Sequence, residues 1–258
     1  MDILRTDTAH VWAVDLERET FDGHLLAEVL SADEWARADR FLFEKHRTHF
    51  VAARGCLRAI LAKYMECKPG ELAFFYGEHG KPTLASPWDK SQLRFNLSHS
   101  EGLALVAISR CCEIGVDVEH LDRKIGQLKD IARRFFAPGE YERLSALPRE
   151  EQRRAFFCCW TRKEAYLKAV GTGLAQSLKN FEVSLGRKAK LLWIKKGNIE
   201  DWTLLHLEPA EGYIGSVAIA KKDVEVKIVK HLLRDLCLNK GVTKRRGDSG
   251  ADDGSFTG

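Results

Sequence analysis

Two segments of this chain repeat at an offset of roughly 110 residues, and the repetition limits the folds open to it. His49-Phe50-Val51-Ala52-Ala53-Arg54 has a counterpart in Ala155-Phe156-Phe157-Cys158-Cys159-Trp160, and Val106-Ala107-Ile108-Ser109 has one in Val217-Ala218-Ile219-Ala220. The first pair lies in long helical patterns and the second at the ends of hairpins. A helix and an antiparallel hairpin, used twice, predict an α+β fold of two similar halves related by a pseudo-twofold. Each half would be a helix packed on a small antiparallel sheet. The expected divisions are residues 1–112, 113–236 and a tail, 237–258. From 241 onward that tail is polar, rich in Gly and Asp, and expected to be disordered.

Local signals fill in the halves. Ser31 with Glu34 reads as a capping box opening a helix over 32–41, and an apolar stripe of Phe50, Ala53, Leu57, Ile60, Leu61 and Tyr64 marks a helix over 45–64. Strands are expected at 11–16, 72–76, 93–97 and 103–109, with Ser98 to Gly102 as a hairpin loop and 77–82 as a turn. A helix over 150–170 stops at Gly171-Thr172-Gly173, and a loop running into a helix (121–136) and a short helix (139–147) precede it. Strands at 181–185, 190–194, 202–207 and 213–220 follow, with a last helix over 227–238.

The segment Glu113-Ile114-Gly115-Val116-Asp117-Val118-Glu119 lies where the halves would join. Side chains alternate faces along a strand, so Ile114, Val116 and Val118 point into a core while Asp117 and Glu119 share the other face. Paired carboxylates repel unless a proton or a cation sits between them. The segment alone fits a wetted edge strand and a hard-cation site equally well. On the 150–170 helix, Glu164 and Lys168 share a face beside Phe157 and Trp160, so Glu164 is expected to be partly buried and to need a partner. A surface ion pair is the plainer reading of that spacing. Ser98, His99 and Ser100 offer several donors to a phosphate, whereas no G-x-S-x-G elbow supports a Ser-His nucleophile. Gly80-Lys81-Pro82 presents one cation on a rigid turn, and Arg37, Arg40, Arg47 and Arg54 spread along the first helices.

These stretches, taken together, resemble the 4′-phosphopantetheinyl transferases of the Sfp-type class, which are monomers of two halves. The residues that carry the resemblance are Gly80-Lys81-Pro82, Phe95 to Ser100, Ile114 to Glu119, and Trp160 to Lys168 followed by Gly171-Thr172-Gly173-Leu174. It covers about residues 10–220. The resemblance implies transfer of the phosphopantetheine arm of coenzyme A to a serine of an apo acyl or peptidyl carrier protein, releasing adenosine 3′,5′-bisphosphate. It implies Asp117, Glu119 and Glu164 as ligands of Mg2+, with Mn2+ an alternative, and Lys168 with Lys163 at the pyrophosphate. Ser98 and His99 would hold the 3′-phosphate, Lys81 and Pro82 would lie beside the adenine, and Arg40, Arg47 and Thr48 would contact phosphates. The general base stays open between Glu164 and a metal-bound water steered by Glu119. The carrier would dock on residues 125–141, where Lys124, Lys129, Arg133 and Arg134 flank Phe135 and Phe136.

Composition narrows the classes further. The 258 residues carry a net charge of +4 and hold no apolar run long enough to span a bilayer, so no membrane role is expected. The opening residues lack a secretory pattern, and the seven cysteines form no C-x-x-C, which suits free thiols in a reducing cytoplasm. Basic residues gather after 227, which raises a non-catalytic nucleic-acid-binding protein as the alternative; the aromatic residues form no stacking platform for it, and no nucleic acid is expected as a partner.

Overall fold

A computed structural model describes residues 3–17, 23–173 and 176–229. Eleven strands and six α-helices lie within them: β1 (Thr8–Asp15), α1 (Gly23–Glu28), α2 (Ala32–Ala38), α3 (Glu44–Met65), β2 (Phe74–Tyr76), β3 (Pro82–Leu84), β4 (Leu93–Ser100), β5 (Leu103–Arg110), β6 (Ile114–His120), α4 (Leu128–Phe135), α5 (Pro138–Ala146), α6 (Arg149–Val170), β7 (Phe181–Val183), β8 (Leu191–Ile194), β9 (Thr203–Leu207), β10 (Tyr213–Ile219) and β11 (Glu225–Val229).

Two sheets organise the chain, in the orders β11-β1-β5-β4 and β6-β10-β9; β2-β3 and β7-β8 are small ribbons. Period-two alternation explains how they stack. On β5, Ala104, Val106 and Ile108 face α3, where they meet Leu57, Ile60 and Leu61. Leu105 and Ala107, on the other face, pack with Ile114, Val116 and Val118 of β6 and Val217 and Ile219 of β10. The opposite side of β10 turns Ile214 and Ala218 toward Phe157, Ala165 and Ala169 of α6. The result is four layers, helix–sheet–sheet–helix, with each sheet buried on both faces. Two helix-on-sheet halves are present, as the repeat predicts.

Both long helices end as their sequences dictate. Gly171, at φ +79°, caps α6 and donates its N–H to the Leu167 carbonyl, while Glu150 and Glu151 in the first turn and Lys168 in the last complement the dipole. At the end of α3, Glu66 takes the left-handed conformation just before Pro69.

The structure corrects several expectations. The strand β4 runs on to Ser100, so Ser98, His99 and Ser100 are strand residues and the β4–β5 turn is only Glu101-Gly102. Residues 227–229, expected to open a helix, lie in β11, whose Glu225-Val226-Lys227-Ile228-Val229 pairs in parallel with β1. The rest of that expected helix, the tail and Leu174 lie outside the described residues. The strand β11 joins the first sheet, so the second half lends its last strand to the first.

Candidate active site

The halves meet along β4 and β6, each an edge of its own sheet. The strands do not form a ladder together. Instead, side chains from one face of β4 partner β6: Asn96 Oδ1 accepts the Val116 N–H (2.9 Å), Ser98 Oγ donates to Asp117 Oδ1 (2.9 Å), and Ser100 Oγ donates to Glu119 Oε2 (2.7 Å). Asp117 and Glu119 are 5% and 6% exposed, so the strand is not a wetted edge.

The acidic face is covered by α6, and Gly115 permits the approach. A Cβ there would lie 2.1 Å from the Ala165 carbonyl oxygen and 2.3 Å from the Ala169 nitrogen. Glycine lets helix and strand touch, which brings Glu164 and Lys168 to the carboxylates. Lys168 Nζ donates to Asp117 Oδ1 (2.6 Å), Ser98 Oγ (3.0 Å) and the Val116 carbonyl (3.2 Å). Glu119 Oε1 is ion-paired with Arg123, four residues on.

The crowding of carboxylates shows at Glu164 and Glu119. Burial pushes the Glu164 carboxyl up to about 7, the neighbouring Asp117 and Glu119 charges add to the rise, and Lys168 opposes it. Glu119 is also raised, by burial and then by Asp117, with Ser100, Arg123 and Lys168 opposing. Two buried oxygens, Asp117 Oδ2 and Glu164 Oε1, have no hydrogen-bond partner. Among the described residues no three His, Cys, Asp or Glu side chains are set closely enough to grip a metal as they stand. The donor chemistry nevertheless fits a hard divalent cation: oxygen ligands, two of them orphaned, with Lys168 already supplying one positive charge at Asp117.

The remaining expected residues divide. His99 lies on the opposite face of β4 from Ser98, exposed and on the side of α3. Its imidazole is held below the usual range by desolvation, then by Lys168, His49 and His46, so the neutral form is favoured. Arg47 and the exposed Thr48 sit at that end of α3; Arg47 pairs with Asp39 and Glu44. Arg40 is exposed just ahead of it. The alternation means that the Ser98 and His99 side chains cannot grasp one phosphate from the same face of the strand.

Lys81 Nζ reaches Glu113 Oε2 (2.7 Å) and the carbonyls of Ile114 and Ala169 (3.3 Å each), tying the start of β6 to the end of α6; Pro82 begins β3. Lys163 is a correction. Its ammonium is 0% exposed and donates to Glu140 (2.7 Å) and the Phe181 carbonyl (2.7 Å), turned away from Lys168 by helical geometry, so it is not available to a pyrophosphate. Phe136 is a second correction: it is buried against Phe156, and of the expected docking pair only Phe135 is exposed, edge-on to Trp160.

A recess of about 530 Å3, lined by Lys45, Glu101, His120, Arg123, Lys124 and Tyr213 among others, opens beside Glu119. A larger hollow of about 1030 Å3, between α5, α6 and residues 184–187, contains none of the expected site residues. Sequence reasoning missed Arg123, whose pairing depends on the turn after β6. It also gave Ser100 no separate role, although period two carried one step past Leu97 places Ser98 and Ser100 together.

A family model described as the 4′-phosphopantetheinyl transferase superfamily matches residues 113–220, and one described as 4′-phosphopantetheinyl transferase, N-terminal, matches residues 18–111. The 4′-phosphopantetheinyl transferase HetI of Nostoc is 43% identical, over 84% of this chain and 90% of that protein. A 4′-phosphopantetheinyl transferase of Bacillus subtilis is 33% identical over 60% of this chain and 66% of its own. The Sfp enzyme of Bacillus subtilis is 28% identical over 60% and 66%. With two family models that meet between β5 and β6, and a relative alike over nearly its whole length, the chain belongs to the 4′-phosphopantetheinyl transferase superfamily, in its Sfp-type class.

Proposed function

We propose that Asp117, Glu119 and Glu164 hold a Mg2+ ion against the pyrophosphate of coenzyme A, and that Glu164 takes the proton of the carrier serine. The reaction class follows from the family: a phosphopantetheine group is transferred to a carrier protein. The single observation that carries the assignment of roles is the pair of orphaned buried oxygens, Asp117 Oδ2 and Glu164 Oε1, within a cluster of three carboxylates. Buried acceptors without partners are costly unless something fills them.

In the transfer, the serine oxygen bonds to the β-phosphorus as its proton passes to Glu164. The bond from that phosphorus to the bridging oxygen breaks, and adenosine 3′,5′-bisphosphate leaves. In the metal-free protein burial and the neighbouring carboxylates raise the Glu164 carboxyl, the direction that favours accepting a proton. The bound cation supplies charge neutralisation at the pyrophosphate oxygens. Lys168, anchored by Ser98 and the Val116 carbonyl, adds a second positive charge on the same side. His99, with Arg40 and Arg47 near the start of α3, offers donors that suit the 3′-phosphate, and Lys81 braces the floor of the adenine side. The exposed Phe135 with Lys129, Arg133 and Arg134 on α4 gives an acidic carrier an apolar-cationic landing.

Both halves of one chain complete the site, so a monomer suffices. No described helix is long and apolar enough to cross a membrane, and the described cysteines are free, which suits action in the cytoplasm. Apo-carrier incubated with coenzyme A and Mg2+, read by mass, tests the proposal. A phosphopantetheine gain on serine is expected with the native chain and none with Asp117→Ala or Glu164→Ala. Full modification by both folded variants overturns the roles assigned.

A further inference from the structure

The face of β4 that meets β6 carries Asn96, Ser98 and Ser100, all buried. Ser98 touches Lys168 as well as Asp117 and so belongs to the binding machinery already described. Ser100 touches neither Lys168 nor any group expected to meet substrate. Its Oγ has two partners: the His120 N–H at 3.2 Å and Glu119 Oε2 at 2.7 Å.

Those partners fix the direction of the hydroxyl. A backbone N–H can only donate, so Ser100 accepts from His120; its one hydrogen is then left for Glu119. The backbone of β6 thus orients the hydroxyl that orients the carboxylate on the next residue back. The other Glu119 oxygen meets Arg123, whose side chain is 47% exposed. The two partners differ in kind: Arg123 reaches in from the surface and can be exchanged for another cation, whereas Ser100 is locked between two strands.

We propose that Ser100 is a positioning residue: its hydroxyl holds Glu119 by Oε2, in the orientation from which Oε1, paired with Arg123 in this structure, would meet the metal in that cation's place. The proposal rests on the metal role assigned to Asp117, Glu119 and Glu164. Partners of metal-ligating carboxylates are worth about 10- to 100-fold in metal affinity where they have been removed. Ser98 acts on Asp117 in the same geometric way, but its contact with Lys168 mixes two effects. Ser100 isolates one.

The test is Mn2+ affinity of the coenzyme A-bound protein, titrated by electron paramagnetic resonance without carrier. S100A and the near-isosteric S100C, which offers only a weak S–H donor, are each expected to bind Mn2+ about tenfold more weakly. S100T, which keeps the hydroxyl, is expected to stay closer to native. The affinity for coenzyme A in the absence of metal should not change in any of them. In steady state, the KM for Mg2+ should rise more than kcat falls. A purely structural serine would lower the melting temperature and leave Mn2+ affinity alone; native Mn2+ affinity in folded S100A or S100C overturns the proposal, as does an S100T no better than S100A. The parent reading is checked apart, because D117N with native Mn2+ affinity removes the metal site itself, whatever Ser100 does.

Discussion

Each half of this protein buries a cluster of charges under its helices, and the two clusters differ in how they are satisfied. In the first half, Glu34 of α2 takes Arg54 at one oxygen (2.7 and 2.6 Å) and Arg58 at the other (2.6 Å), with the Ser31 N–H also on the second. Arg58 Nη1 also donates to the carbonyls of Pro69 and Leu72. In the second half, Asp117, Glu119 and Glu164 share Lys168 and Arg123, and two oxygens stay orphaned. A closed network of this sort fixes geometry; an open one retains affinity for something else. The pair Lys163–Glu140 belongs to the closed kind: Glu140 also accepts the N–H groups of Ala137 and Val183. The motif residue that sequence reasoning placed at the pyrophosphate is therefore a fastener.

That contrast can be broken from either side. The largest effect is expected from Asp117→Ala, which should reduce carrier modification by at least about a thousandfold, in line with removing a group that acts on transition-state charge. The melting temperature should fall less than in Glu34→Ala, because the loss of the Lys168 pair is offset by one like charge leaving the cluster. Glu34→Ala should do the opposite. It strands two buried guanidinium groups at a cost of about 3–5 kcal/mol, visible in urea unfolding, while the turnover of the folded fraction stays near native. A similar loss is expected for Glu140→Ala, which strands Lys163. Equal loss of stability in Asp117→Ala and Glu34→Ala would end the distinction between the two networks.

A smaller effect sharpens it. The Glu164 carboxyl is raised from 4.5 to about 7 on folding, so the folded state binds more protons than the unfolded chain between those values. Its favourable protonated form is fully present below about pH 4.5, and the stability it contributes is lost as pH rises through about 7. Metal-free protein is expected to lose a few degrees of melting temperature between pH 5 and pH 8 from this group. Glu164→Gln should flatten the difference, and Mg2+ with coenzyme A should offset it at pH 8. Identical pH profiles for native and Glu164→Gln would show that the cluster places no strain on this carboxyl.

Much of this was legible beforehand, and the misses share a cause. The acidic strand, the Glu164–Lys168 face and both long helices follow from periods of two and 3.6 within single segments. Gly115 in the acidic motif also makes sense only as a strand residue pressed on a helix. Extending β4 through Ser98, His99 and Ser100 required knowing that Asp117 and Glu119 would satisfy polar side chains that otherwise suit a loop. Assigning Lys163 required Glu140, which is distant in sequence and announces nothing by itself. The strand β11 alternates in period two, but its Lys227 and neighbours read equally well as a charged helix until β1 supplies a partner.

That last strand has a consequence for the making of the protein. The first sheet is finished only when residues 225–229 settle beside Thr8–Trp12, which emerged from the ribosome more than two hundred residues earlier. The strand β1 must therefore wait with one edge unzipped while the residues between it and β11 are made. The chain resembles a belt whose buckle is threaded last: its two halves share a blueprint, yet neither is ready to be a free-standing product until the clasp closes.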